Sequence, residues 1–112
     1  MLPQVFRLNE RLKIEEVKRG KKYTSTLFVL FWLKDDSQKP KFSFVCSKVV
    51  SGKAVVRNRI KRQMSEVIRK NLARVSPGFK VLLVARKEAA LRKYEEIEKE
   101  LLAVLEKEEI IK

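Results

Sequence analysis

The chain has 112 residues, enough for one hydrophobic core, and 45% of them are hydrophobic, so a single folded domain spanning 1–112 is expected. Twenty-seven Lys and Arg against fourteen Asp and Glu leave a net charge of +13, which points to a polyanionic partner. No histidine and a lone cysteine, Cys46, exclude Ser-His-Asp and Cys-His nucleophilic arrangements, an internal disulfide and a zinc site of ordinary ligand type.

Along the chain, Leu8, Leu12, Ile14 and Val17 predict a short helix stopped by Gly20. "YTSTLFVLFWL" follows, rich in β-branched and aromatic residues, and predicts one long strand or two short ones. Its run from Leu27 to Leu33 is the longest apolar stretch, far short of the roughly 20 residues a membrane span needs. The opening "MLPQVFRLNERLK" has no continuous apolar stretch of the signal-peptide kind, so a cytoplasmic protein without membrane association is expected. "KDDSQKPK" predicts a hairpin loop; it holds the only aspartates, Asp35 and Asp36, as solvated turn residues and not as metal ligands. "KFSFVCS" alternates as a half-buried strand, with Phe42, Phe44 and Cys46 on one face and Ser43, Val45 and Ser47 on the other.

After Gly52 the period changes. Val56, Ile60, Met64, Val67, Ile68 and Leu72 recur at helical spacing, predicting an amphipathic helix of about five turns that "SPGF" ends. "KVLLVA" is a continuous apolar run, as in a strand covered on both faces. Ala90, Tyr94, Ile97, Leu101, Val104 and Leu105 predict a last amphipathic helix. The order α-β-β(-β)-α-β-α implies an α+β domain, an α-β sandwich in which helices pack on a small mixed sheet.

The charge is concentrated. Residues 53–87 hold eleven cations and one acid, Glu66, whereas residues 88–112 hold five cations and eight acids. With about 100° per residue, Val56, Ile60, Met64, Val67 and Ile68 form the buried stripe of the central helix. Asn58, Lys61, Arg62, Ser65 and Arg69 fall on the opposite side, Arg59 along a flank and Arg57 at the border. Charged helix faces usually serve solubility alone, but such faces mix signs through Glu–Lys pairs, as the last helix does and this one does not. Arginine forks suit phosphates, and an asparagine among them can read a base edge or a 2′-hydroxyl.

"GKAVVRNRIKR", followed by the long helix and "VLLVARKEAA", resembles the bacterial ribonuclease P protein components, whose hallmark is an Arg-Asn-Arg element opening a long helix, here Arg57, Asn58 and Arg59. The similarity includes "LPQVFRL", "KRGKKY", "FVLF", Ser47-Lys48 and the "VAR" that ends at Arg86. The resemblance implies an accessory subunit of an endoribonuclease. Its partners would be a catalytic RNA and precursor tRNA, whose 5′ leader the complex removes, and the Mg²⁺ would be held mainly by the RNA. It implies no catalytic residue and no metal ligand in the chain itself. Lys48, Lys53, Arg57, Asn58, Arg59, Lys61, Arg62, Ser65 and Arg69 would contact the RNA. A leader cleft would be lined by Ile14, Val17, Val29, Phe31, Ser43, Val45 and Arg86. Phe31 would offer its ring to a base or sugar there, with plain core packing as the alternative; Phe28 and Trp32 point to the other face as core. The chain departs from the family pattern in placing Ile14 and Val17, not an aromatic, on the first helix, and Val49 after Ser47-Lys48. A monomer is expected. The residues alone leave open a structural, ribosomal-type RNA-binding protein, and also a DNA-binding regulator. The regulator's recognition helix should follow another short helix across a tight turn, whereas here a strand precedes it.

Overall fold

A computed structural model describes residues 11–34 and 39–111, with side chains from residue 15 onward. Asp35, Asp36, the expected helix start at Leu8 and the side chain of Ile14 lie outside the described residues. Helix α1 (Arg11–Lys18) leads through Gly20 into strands β1 (Lys21–Thr24) and β2 (Phe28–Lys34). Strand β3 (Lys41–Val45), helix α2 (Ala54–Lys70), strand β4 (Phe79–Ala85) and helix α3 (Tyr94–Lys107) follow. Short 3₁₀ turns at Leu72–Arg74 and Lys87–Leu91 precede β4 and α3 respectively. The expected α+β order holds, with the β1–β2 segment resolved into two strands.

The sheet order is β1-β2-β4-β3; β2 runs antiparallel to β4, and β3 parallel to it. β2 and β3, the strands on either side of "KDDSQKPK", therefore do not pair as the expected hairpin. β2 and β3 are separated by β4, which enters between them after the α2 crossover. The sequence pattern shows why: Val81, Leu82 and Leu83 are all buried, so β4 needs cover on both faces and hydrogen-bonding partners on both edges. Local alternation marks β2 and β3 as strands but carries nothing about which strand each one pairs with.

The two faces differ. On one, Phe28, Leu30, Phe42, Val81 and Leu83 pack against Ile60, Met64, Val67 and Ile68 of α2 and Ile97, Leu101 and Leu105 of α3. Phe44 and Trp32 join this side, Trp32 edge-on to Phe79 with ring centroids 5.3 Å apart, as the alternation of "FVLFWLK" and "KFSFVCS" requires. On the other, α1 covers a smaller cluster in which Val17 and Leu82 are fully buried among Phe31, Val45 and Val84.

Several polar contacts fix the connections. Glu100 of α3 accepts hydrogen bonds from Ser25 Oγ (2.8 Å) and the Leu27 amide, stapling the β1–β2 turn to the helix layer. Asn71 Nδ2 donates to the Val67 carbonyl at 2.7 Å where α2 ends, and Gly78, at φ 82°, takes the left-handed turn into β4 that a side chain would oppose. Ser76 N donates to the Ile110 carbonyl at 2.8 Å, tying the end of the fold to that turn.

Gly20 has a different reason to lack a side chain: a Cβ there would overlap the Trp32 carbonyl oxygen. Gly52, before α2, has open space around it. Gly20→Ala is therefore expected to lower stability by about 1–3 kcal/mol, and Gly52→Ala to stay within about 0.5 kcal/mol of the parent, both read from urea unfolding midpoints.

Candidate nucleic-acid interface

Helix α2 turns five residues fully inward, Ile60, Met64, Ser65, Val67 and Ile68. That leaves Asn58, Arg62 and Arg69 exposed in one row at spacings of four and seven residues, with Lys53 and Lys70 exposed at the helix ends. Arg57, Arg59 and Lys61 are half-buried along the two flanks. Lys53 occupies the N-cap position without a side-chain cap, and the first turn contains no acid. The positive end of the helix dipole and the arginines thus add to one another, where protein helices ordinarily place an acid.

What holds each cation separates the set. Arg57 Nη1 donates to the Ser51 carbonyl at 3.0 Å, and Arg59 Nη2 to the Ala90 carbonyl at 2.9 Å. Both guanidinium groups are oriented by neutral acceptors and keep their full charge. Arg69 is different: its Nε donates to Glu66 Oε2 at 2.9 Å, and its Nη2 pairs with Glu66 Oε1. That pairing holds the Glu66 carboxyl below the usual carboxylate range, so the bridge survives as pH falls through that range. Lys48, Lys53, Asn58, Lys61 and Arg62 make no side-chain hydrogen bond or ion pair to other described residues. Beside them, burial raises the Cys46 thiol above its usual value against the pull of Lys61 and Arg57. Only 8% exposed, Cys46 packs as a small apolar side chain.

Ser65 does not belong to the exposed row. It is 3% exposed and counts among the buried residues of α2, although Lys61 and Arg57, four and eight residues earlier in the same row, are only half-buried. A short hydroxyl on that flank is covered, whereas Lys61 is long enough to emerge.

The open sheet face brings together four of the expected cleft residues. Across the strands, Phe31 stands opposite Leu82, which is opposite Ser43; one row along, Val29, Val84 and Val45 are aligned in the same way. All but Leu82 are half-buried. Two expected cleft residues lie elsewhere. Val17 is fully buried against Leu82, so it seals α1 to the sheet and presents no surface. Arg86 donates from Nη1 to the Ser25 carbonyl at 2.6 Å and lies in a cavity with Tyr23, Glu100 and Lys107, on the α3 side of the sheet. Arg86 N pairs with the Leu27 carbonyl as the ladder ends and its backbone stays extended, while the guanidinium turns to the Ser25 carbonyl.

The pairing adds a residue that sequence reasoning missed. Lys22 is the β1 partner of Phe31, and its Nζ lies 5.7 Å from the Phe31 ring centroid. Lys41 and Lys80 form the next cross-strand pair on the same face, with Lys80 Nζ 3.8 Å from Glu16 of α1. Only register puts Lys22 beside Phe31, and register is not legible in a strand read alone. No three His, Cys, Asp or Glu side chains among the described residues gather as a metal cluster.

Residues 2–109 match a family model described as Ribonuclease P. The chain belongs to the ribonuclease P family. The ribonuclease P protein component of Rippkaea orientalis is 37% identical over 116 residues, covering 98% of this chain and 91% of the relative. That of Microcystis aeruginosa is 39% identical over 115 residues, covering 98% and 96%. Among solved structures, the RNase P protein from Thermotoga maritima superposes with a TM-score of 0.82 at 25% identity, covering 90% of this chain and 96% of that one. The Staphylococcus aureus RNase P protein shares the fold, with a TM-score of 0.86 at 21% identity over 96% and 98% of the two chains. As a ribonuclease P protein component, the chain is the accessory subunit of an RNA-processing endoribonuclease.

The Arg69–Glu66 pair yields a direct check on which cations reach a polyanion. Glu66→Gln is expected to raise affinity for a structured RNA and to steepen log K against log salt by about 0.7–0.9, one phosphate contact. Filter binding at several salt concentrations measures both; an unchanged slope would place Arg69 outside the interface.

Proposed function

We propose that this chain binds the catalytic RNA of ribonuclease P through the outward row of α2 and holds the 5′ leader of precursor tRNA along the open sheet face. The observation that carries the proposal is the row itself: Asn58 and Arg62 project from a rigid helix without partners among the described residues, between arginines oriented by the Ser51 and Ala90 carbonyls. Successive turns of α2 rise about 5.4 Å, comparable to phosphate spacing along a strand. Lys48, Lys53 and Lys61 extend the same electropositive surface, Arg69 stands at its end bridged to Glu66, and Ser65 supports it from beneath.

On the other surface, Phe31 offers part of a ring and Val29, Ser43 and Val45 a mixed floor, with Lys22 placed to meet a phosphate. Base–aromatic stacking tolerates any sequence, which a subunit serving many precursors requires. Mg²⁺ belongs, in this proposal, to the RNA, and hydrolysis with it. The chain acts as a monomer in the cytoplasm: its +13 charge opposes self-association, and a single buried thiol suits a reducing compartment.

Reconstitution tests the proposal. Protein alone in Mg²⁺ should leave precursor tRNA intact, and addition of the catalytic RNA at low Mg²⁺ should yield the mature 5′ end; cleavage by the protein alone, or no stimulation of the RNA, would refute it. Arg62→Ala should weaken RNA binding and flatten its salt dependence by about 0.7–0.9 in slope. Phe31→Ala should cost the holoenzyme about tenfold in affinity for leader-bearing precursor while leaving mature tRNA binding unchanged.

A further inference from the structure

Beside its basic row, α2 borders a space that the proposed RNA and leader contacts leave unused. A cavity of about 490 Å³ lies between the first half of α2, the Lys87–Leu91 turn and the start of α3, with Arg59, Gln63, Leu91, Lys93, Tyr94 and Glu95 among its lining residues. Four enclosed side-chain polar atoms among the described residues have no hydrogen-bond partner, and three of them belong to these walls: Arg59 Nε, Gln63 Oε1 and the Tyr94 hydroxyl. Unpaired enclosed polar groups destabilise a free protein, and side chains that turned these three atoms toward an occupant of the cavity would relieve that cost. At its rim Leu91 is 95% exposed, a large apolar side chain that nothing among the described residues covers. Lys70 Nζ sits 5.1 Å from the Tyr94 ring centroid and closes one side of that ring.

The donor and acceptor types narrow the occupant. Arg59 Nε can only donate, Gln63 Oε1 can only accept, and the Tyr94 hydroxyl does both. A bare phosphate needs donors throughout and would meet the Gln63 oxygen unfavourably. A nucleobase edge alternates donors and acceptors, and its flat face suits an apolar side chain such as Leu91. Arg59 connects the cavity to the basic row, since it is the second arginine of the Arg-Asn-Arg element and its Nη2 is anchored on Ala90 at 2.9 Å.

We propose that the α2–α3 cavity receives one unpaired nucleobase of the RNA that docks on α2, seated against Leu91 and read at its edge by Arg59, Gln63 and Tyr94. The proposal rests on the RNA-binding function above. It makes the accessory subunit selective for one flipped-out base as well as for the shape of the phosphate backbone.

The test is base-specific chemical probing, with dimethyl sulfate and a carbodiimide, of the catalytic RNA assembled with wild-type protein, Leu91→Ser, Tyr94→Phe or Arg62→Ala. Wild-type protein should protect one unpaired base. Leu91→Ser and Tyr94→Phe should each restore its reactivity at saturating protein and weaken binding about three- to tenfold. Their salt slope should not change, because neutral contacts release no counterions. Arg62→Ala should keep the protection while its slope falls. Leu91 is too exposed for its replacement to act through the core, so its result stands if Tyr94→Phe disturbs folding. Protection and affinity identical to wild type in both cavity variants would mean that the cavity holds only water, and would overturn the proposal while leaving α2 docking intact. A lowered salt slope in Leu91→Ser would also overturn it, by assigning the cavity to a phosphate. If wild-type protein failed to bind the RNA at all, the RNA-binding function itself would fall.

Discussion

The insertion of β4 between β2 and β3 is the constraint from which the rest of the molecule follows. A strand apolar on both sides cannot stand at a sheet edge, so it takes the interior position and pairs with both neighbours. Its parallel pairing with β3 demands a crossover, and α2 is that crossover. The sheet, through Phe42, Val81 and Leu83, therefore decides which stripe of α2 turns inward, and the inward stripe decides which cations face out. Asn58, Arg62 and Arg69 are aligned in space because the opposite side of their helix is locked against a strand buried on both faces.

Charge is distributed with the same economy. Where cations serve the fold they are neutralised: Arg74 lies 2.9 Å from Glu106, and Arg92 lies 3.0 Å from Glu96 in the first turn of α3. Exposed pairs of this kind add little stability, but they keep the α3 side close to neutral. The outer row of α2 is treated differently, with Glu66 alone placed among its cations and bridged to Arg69. A helix whose first turn holds no acid, beneath a cluster of like charges, gives up stability in the free protein. An arriving polyanion would relieve both costs together, which is the physical link between the lone composition figure of +13 and a particular surface.

Much of this was legible in the residues. The 3.6-residue stripe of α2, the two-residue alternation around Phe42 and Phe44, and the apolar run of β4 each reflect a local period that burial enforces. What was not legible depends on partners distant in sequence. The connection after β2 had the composition of a hairpin loop, yet β4, more than forty residues on by chain order, displaced β3 from its side. Ser65 obeyed the helical wheel but was covered, because a wheel records angle and takes no account of side-chain length. Val17 was expected to line the cleft and is sealed between α1 and the sheet, against Leu82. Arg86, placed in the cleft by resemblance alone, is held instead at the Ser25 carbonyl. Lys22 passed unnoticed because its partnership with Phe31 exists only in the register of β1 on β2.

The way the two half-buried arginines are held bears on what an accessory subunit can add to an RNA catalyst. A carboxylate partner would orient a guanidinium but cancel its field, as Glu66 does for Arg69. A backbone carbonyl orients it and leaves the positive charge whole, and this is how Ser51 holds Arg57 and Ala90 holds Arg59. The side-chain entropy is then lost when the protein folds, not when RNA binds, so more of the electrostatic attraction appears as affinity. A chain without histidine has little with which to move protons near neutral pH, but it can fix cations in place before the RNA arrives. Pre-set positive charge on a rigid helix is the contribution this composition allows, and the carbonyl anchors show the fold making it.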